Sequence, residues 1–119
     1  MSIYSDLARM DGVIAAGEYA YRGDRYHFKG QMSEEMARMA SIMCRATTLS
    51  THMQSDILCT NIDSKDCPFN ESHGWKVRGP QFSVCVMANV FCFVANQPGL
   101  LNKVFARMRN KLMHVEDMV

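Results

Sequence analysis

Apolar positions recur along this chain at two periods, and the changes of period mark out its elements. Ile3, Leu7 and Met10 fall at helical spacing between Ser2, suited to an N-cap, and Gly12, suited to a stop, which predicts a short helix. The run VIAAGEY, Val13 to Tyr19, reads as a largely buried strand. Tyr21-Arg22-Gly23-Asp24 turns the chain, and RYHFK, Arg25 to Lys29, alternates as a second strand closed by Gly30. From Ser33 the period becomes helical. Ser33 is a good N-cap, and Glu34 and Glu35 place negative charge in the first turn, where the helix dipole favours it. With no Pro or Gly before Pro68, this helix runs to Leu58 or Thr60, about 25 residues and roughly 38 Å long.

Asn61 to Gly74 is a polar loop, at about 14 residues long for a compact domain. WKVRG follows as a strand from Trp75. Gly79-Pro80-Gln81 is a turn, and Ser83 to Val94 supplies two further strands before Asn96-Gln97-Pro98-Gly99. Leu101, Val104, Phe105, Met108 and Leu112 then recur at helical spacing opposite Lys103, Arg107 and Lys111, a final amphipathic helix. The expectation is a single α+β domain over residues 1–119 in the order α-β-β-α-β-β-β-α. A five-stranded, mainly antiparallel sheet carries helices on its faces, the central one long.

The wheel of the Ser33 helix is the most informative pattern. At about 100° per residue, Ile42, Leu49, Met53 and Ala46 occupy one flank of its apolar face. Met39, Ile57, Met43, Met36, Ala40 and Leu58 continue around the other. Arg38, Ser41, Arg45, Thr48 and His52 form a narrower polar face. The apolar arc is roughly twice the ~100° stripe that docking on one sheet requires. Unless the terminal helices cover the surplus, it is an interface.

Composition narrows the function classes. A balance of 48% hydrophobic and 21% charged residues is that of a globular chain, and a net charge of +1 without basic runs argues against nucleic acid or an anionic membrane as partner. The N-terminus has no signal-peptide pattern, and the apolar stretch from Val84 to Ala95 is too short to span a bilayer as a helix. A cytoplasmic protein is therefore expected, with its five cysteines as thiols. Eleven methionines suit irregular cores and adaptable interfaces.

Motif chemistry is sparse. The seven glycines are scattered rather than clustered into a phosphate loop, and no nucleophile elbow or metalloprotease signature occurs. His27, His52, His73 and His114 have no motif spacing, and His52 reads as a solvated residue. No catalytic residue and no cofactor is expected. The one grouping with metal or thiol character is Cys59, Cys67 and His73 around the long loop, although it lacks a close pair such as C-x-x-C. Cys44 reads as a small hydrophobe. For Cys85 and Cys92 the turn decides. A two-residue connection, Ala88-Asn89, sets the two cysteines directly opposite on one face but requires a positive φ that Ala88 resists. A three-residue loop, Met87 to Asn89, gives Asn89 a left-handed position it tolerates and puts Cys85 on the other face. Both faces are apolar, so the pattern leaves the register open. In either register the neighbours are Val, Phe and Met, which points to packing.

The order of elements, with a short helix ending at a Gly before an apolar strand (ARMDGVIAAGEY), resembles the roadblock superfamily of dynein light chain-type proteins, within the profilin-like group. Its strongest part is Leu7 to Tyr26 followed by the Ser33 helix. More closely, the chain is similar to a family of small prokaryotic proteins of unknown function, which share DGVIAAGE and a strand reading YSVCVMGNV. Here that strand is FSVCVMANV, with Ala88 where those proteins have Gly. The resemblance implies a non-enzymatic scaffold that homodimerises through its long helix and binds a protein partner, such as a small GTPase or a redox complex. Met39, Met43, Ala46, Ser50 and Met53 are the expected interface, with Ala46, Thr47 and Ser50 small enough for two helix backbones to approach closely. A small-ligand or thiol-based module linked to sulfur metabolism is the alternative.

Overall fold

The computed structural model describes residues 2–62 and 74–117. Its elements are α1 (Ile3–Ala8), β1 (Val13–Tyr19), β2 (Tyr26–Gly30), α2 (Glu34–Ile62), β3 (Gly74–Arg78), β4 (Phe82–Met87), β5 (Val90–Ala95) and α3 (Leu100–Asp117). The architecture is the expected α+β arrangement, with one five-stranded sheet in the order β2-β1-β5-β4-β3. Every neighbouring pair is antiparallel. Because β2 and β3 lie at opposite edges, α2 carries the chain across the whole sheet. At 29 residues, about 43 Å, it is longer than that crossing requires. It runs slightly further than its periodicity indicates, and β3 begins one residue early, at Gly74.

The caps follow local chemistry. Ser33 Oγ accepts a hydrogen bond from the Met36 amide at 3.1 Å, satisfying a donor at the α2 N-terminus. Ser2 occupies the corresponding position of α1, but its hydroxyl is paired with that of Ser5 at 2.7 Å and caps no backbone group.

Alternation along the strands separates two cores. On one face Ala16, Cys85, Met87, Cys92 and Val94 pack under Leu7 of α1 and Leu101, Val104 and Met108 of α3. On the other, Tyr19, Val86 and Phe91 meet Ala40 and Cys44 of α2. Gly17 of β1 is required by this second layer, since a Cβ there would strike the Phe91 ring and the His27 carbonyl. The terminal helices thus lie on the face opposite α2 and do not cover its apolar arc. They are tied together by Lys111 Nζ and Asp6 Oδ2 at 2.6 Å.

The β4–β5 hairpin takes the two-residue turn. Met87 pairs with Val90 and Cys85 with Cys92, and Ala88 has φ +54°. Asn89 does not take the left-handed position that a three-residue loop would give it. Its contribution is two hydrogen bonds: the Asn89 side-chain amide donates to the Tyr19 carbonyl at 2.9 Å, and the Tyr19 amide donates to the Asn89 carbonyl at 3.0 Å. The Tyr19 hydroxyl also donates to the Ala88 carbonyl at 3.2 Å. One residue at the end of β1 thereby clamps the turn and holds Ala88 in a conformation that favours glycine.

Candidate functional site

The side of α2 that meets the sheet is lined by small residues. Ala37, Ala40, Ser41 and Cys44 are buried there. The Ser41 hydroxyl is satisfied within the helix by the Ala37 carbonyl at 2.8 Å. Further along, Thr48 Oγ1 accepts from Trp75 Nε1 at 2.8 Å and lies 3.2 Å from the Tyr19 hydroxyl oxygen, to which its own proton can be donated. The middle of the helix is thus pinned to β3 and β1 together.

Docking by small and polar side chains sends the large ones outward. Ile42, Met43, Met53 and Ile57 are 54%, 63%, 65% and 60% exposed, and Met36, Met39, Leu49 and Leu58 are exposed with them. This reverses part of the wheel reading, in which Ser41 and Thr48 belong to a solvated polar face. The helix sits close to the sheet because its contact residues are short, and long side chains on that side would have lifted it away.

Beside this ridge lies a groove. Met36, Met39 and Met43 form one wall, and Trp75, Val77, Phe82, Val84 and Phe93 of β3, β4 and β5 form the floor and the far wall, around a volume of about 490 Å³. The lining is almost wholly apolar. Phe82 and Phe93 meet edge to face with centroids 5.7 Å apart, and Val77 is 54% exposed at the groove margin. Convex apolar ridge and concave apolar groove therefore share one continuous face. Met39, Met43, Ala46, Ser50 and Met53 all lie exposed on α2. Ile42, Leu49 and Ile57 extend the ridge, and the sheet half of the groove is an addition that helix periodicity could not disclose.

The thiols separate into two groups. Cys44, Cys85 and Cys92 are free and buried. Burial pushes the Cys44 thiol up to about 12. The hydrogen bond with Cys85 and then burial push Cys92 up strongly, and Cys85 Sγ lies 3.6 Å from Met108 Sδ. All three are buried packing groups, and the raised values of Cys44 and Cys92 remove thiolate character from those two at neutral pH. Cys59 is disulfide-bonded, which departs from the expectation of five thiols. Cys67 and His73 lie outside the described residues, and among the described residues no three His, Cys, Asp or Glu side chains gather as metal ligands. Nor is any described helix long and apolar enough to cross a membrane.

No curated protein and no solved structure matches the chain. A family model does, over residues 4–110, from α1 through most of α3, and with nearly the whole fold inside that match the chain belongs to the uncharacterized conserved protein family DUF2173.

Proposed function

We propose that this protein is a non-enzymatic homodimeric interaction module, whose α2 ridge and adjoining groove receive the same elements of a second copy. The observation that carries the reading is the outward display of eight large apolar side chains on α2 next to an apolar groove. Exposed apolar surface on this scale is a mark of an interface. A two-fold axis near Ala46 and Ser50 would set the ridge of each copy into the groove of the other, as a self-complementary contact requires. Exposed Ala46 and Ser50 permit close approach of two helices, while methionines adapt their shape to the facing surface. A standard interface removes about 800 Å² per partner, roughly a tenth of the 7907 Å² surface of this chain. The roadblock-like order of elements supports the same arrangement, and a scaffold role toward a further protein, such as a small GTPase or redox complex, follows from that likeness alone.

Light scattering on the purified protein tests the reading. The wild type is expected at twice the chain mass at micromolar concentration. Met43→Glu and Phe82→Asp, one on each side of the proposed contact, should each produce a folded monomer. A wild type that scatters as a monomer would end the proposal.

A further inference from the structure

A second cavity lies on the opposite flank of α2 from the apolar groove, between the helix and the β1–β2 turn. Its volume is about 290 Å³. Three arginines line it, Arg25 from the turn and Arg38 and Arg45 from α2, against a single carboxylate, Asp24. In a chain whose net charge is +1, that is a marked local excess of cation.

Arg45 is held in place. Its Nε donates to the Tyr21 carbonyl at 2.7 Å, bridging helix and turn. The guanidinium lies against Gly23, where a Cβ would approach Arg45 Cζ and Nε to 3.2 Å and Nη1 to 3.3 Å. Gly23 has φ +80°, so the residue that shapes the turn also makes room for the cation. Arg45 Nε being engaged, its two terminal nitrogens make no hydrogen bond with described residues. The Arg25 carbonyl accepts from the Ala20 amide at 2.8 Å, while its guanidinium forms no hydrogen bond or ion pair with described residues. Arg38 pairs with Glu35 at 3.4 Å in a solvent-exposed contact of the kind that contributes little. Much of the donor capacity of three guanidiniums is therefore uncommitted.

We infer that this cavity binds a compact oxyanion carrying two or more negative charges, of the kind presented by a small phosphate ester or a polycarboxylate. Guanidinium forks match the paired oxygens of phosphate and carboxylate, and several of them around one cavity favour a multiply charged group over a single acetate-like one. Tyr19, Tyr26 and Ile42 line the same space and offer apolar contact to an organic remainder. The volume lies near the small end of the range of about 300–1,000 Å³ for ligand pockets, which suits a small metabolite. The cavity and the groove occupy different flanks of α2, although Ile42 of the ridge also lines the cavity, and the arginines that carry the inference lie outside the proposed dimer contact.

The test is calorimetric titration of the full chain at low ionic strength with sodium pyrophosphate, citrate and acetate. Pyrophosphate or citrate is expected to bind saturably and acetate not to. The tighter of the two names the carrier, phosphate or polycarboxylate, and either upholds the site. Affinity should fall about tenfold in Arg25→Gln and in Arg45→Gln. It should be unchanged in Arg107→Gln, an exposed position on α3 across the sheet. Arg25→Gln breaks no described internal bond, so it answers the question even if Arg45→Gln is unstable. Absence of saturable binding by either polyanion up to about 10 mM overturns the inference. An affinity in Arg25→Gln equal to that of Arg107→Gln overturns it as well.

Discussion

Ala88 carries a conformation better suited to the residue it lacks. Its φ of +54° in a two-residue turn costs an L-residue with a Cβ about 1–2 kcal/mol relative to glycine, and it is kept there by the three hydrogen bonds exchanged with Tyr19. Ala88→Gly is expected to raise stability by about 1 kcal/mol in chemical denaturation, the relief of strain exceeding the added entropy of the unfolded chain. A loss of stability would mean that the turn is not strained. Asp6 gives a pH prediction at the same scale. The hydrogen bond from Lys111 holds its carboxyl below the ordinary value of 3.8. A depressed folded value means that the stabilisation is complete above 3.8 and disappears as pH falls through the lower folded value. The melting temperatures of wild type and Asp6→Asn should therefore differ at neutral pH and converge in acid. A gap independent of pH would show that the pair is not the source.

Among the elements, the β4–β5 hairpin and α2 define what the fold can do. Cys85 and Cys92 sit opposite each other beneath α3, and Cys44 lies on the sheet side of α2, all three free and buried. Ellman titration of the native protein should leave these thiols unreacted until denaturant is added. Rapid labelling of any of them would contradict their assignment as packing groups. Both elements also mark where reading from sequence stops. The periods of Val13 to Tyr19, of the Ser33 helix and of Leu101 to Leu112 carry their own assignment, since apolar spacing follows backbone geometry directly. The hairpin register does not, because Cys85 and Val86 are both buried and a slip of one residue exchanges one apolar face for another. The docking side of α2 is hidden for a related reason. A helix against a sheet is expected to bury its largest apolar residues, whereas this one buries Ala37, Ala40, Ser41 and Cys44. The arginine cavity was illegible because Arg25 and Arg45 come together only when the β1–β2 turn folds against the helix.

For the molecule as a whole, the sheet separates two unlike surfaces. One face is closed by α1 and α3 and forms a continuous buried core. The other is only partly covered by α2, with an apolar groove along β3, β4 and β5 and an arginine-lined cavity at the opposite flank. The radius of gyration, 14.6 Å, slightly exceeds the ~13.5 Å expected for a compact chain of this length, in keeping with a helix longer than its sheet requires. A monomer would leave this open face in water, and a second copy would cover it with surface of the same character. A glutamate introduced into that contact would be buried without a partner, costing about 3–5 kcal/mol and weakening association by more than about a hundredfold. Sedimentation velocity across a micromolar concentration series, on the wild type and on Ala46→Glu, measures this most directly. The wild type is expected to sediment as a dimer and Ala46→Glu as a folded monomer. A wild type that sediments as a monomer throughout, or an Ala46→Glu dimer as tight as the wild type, would contradict it.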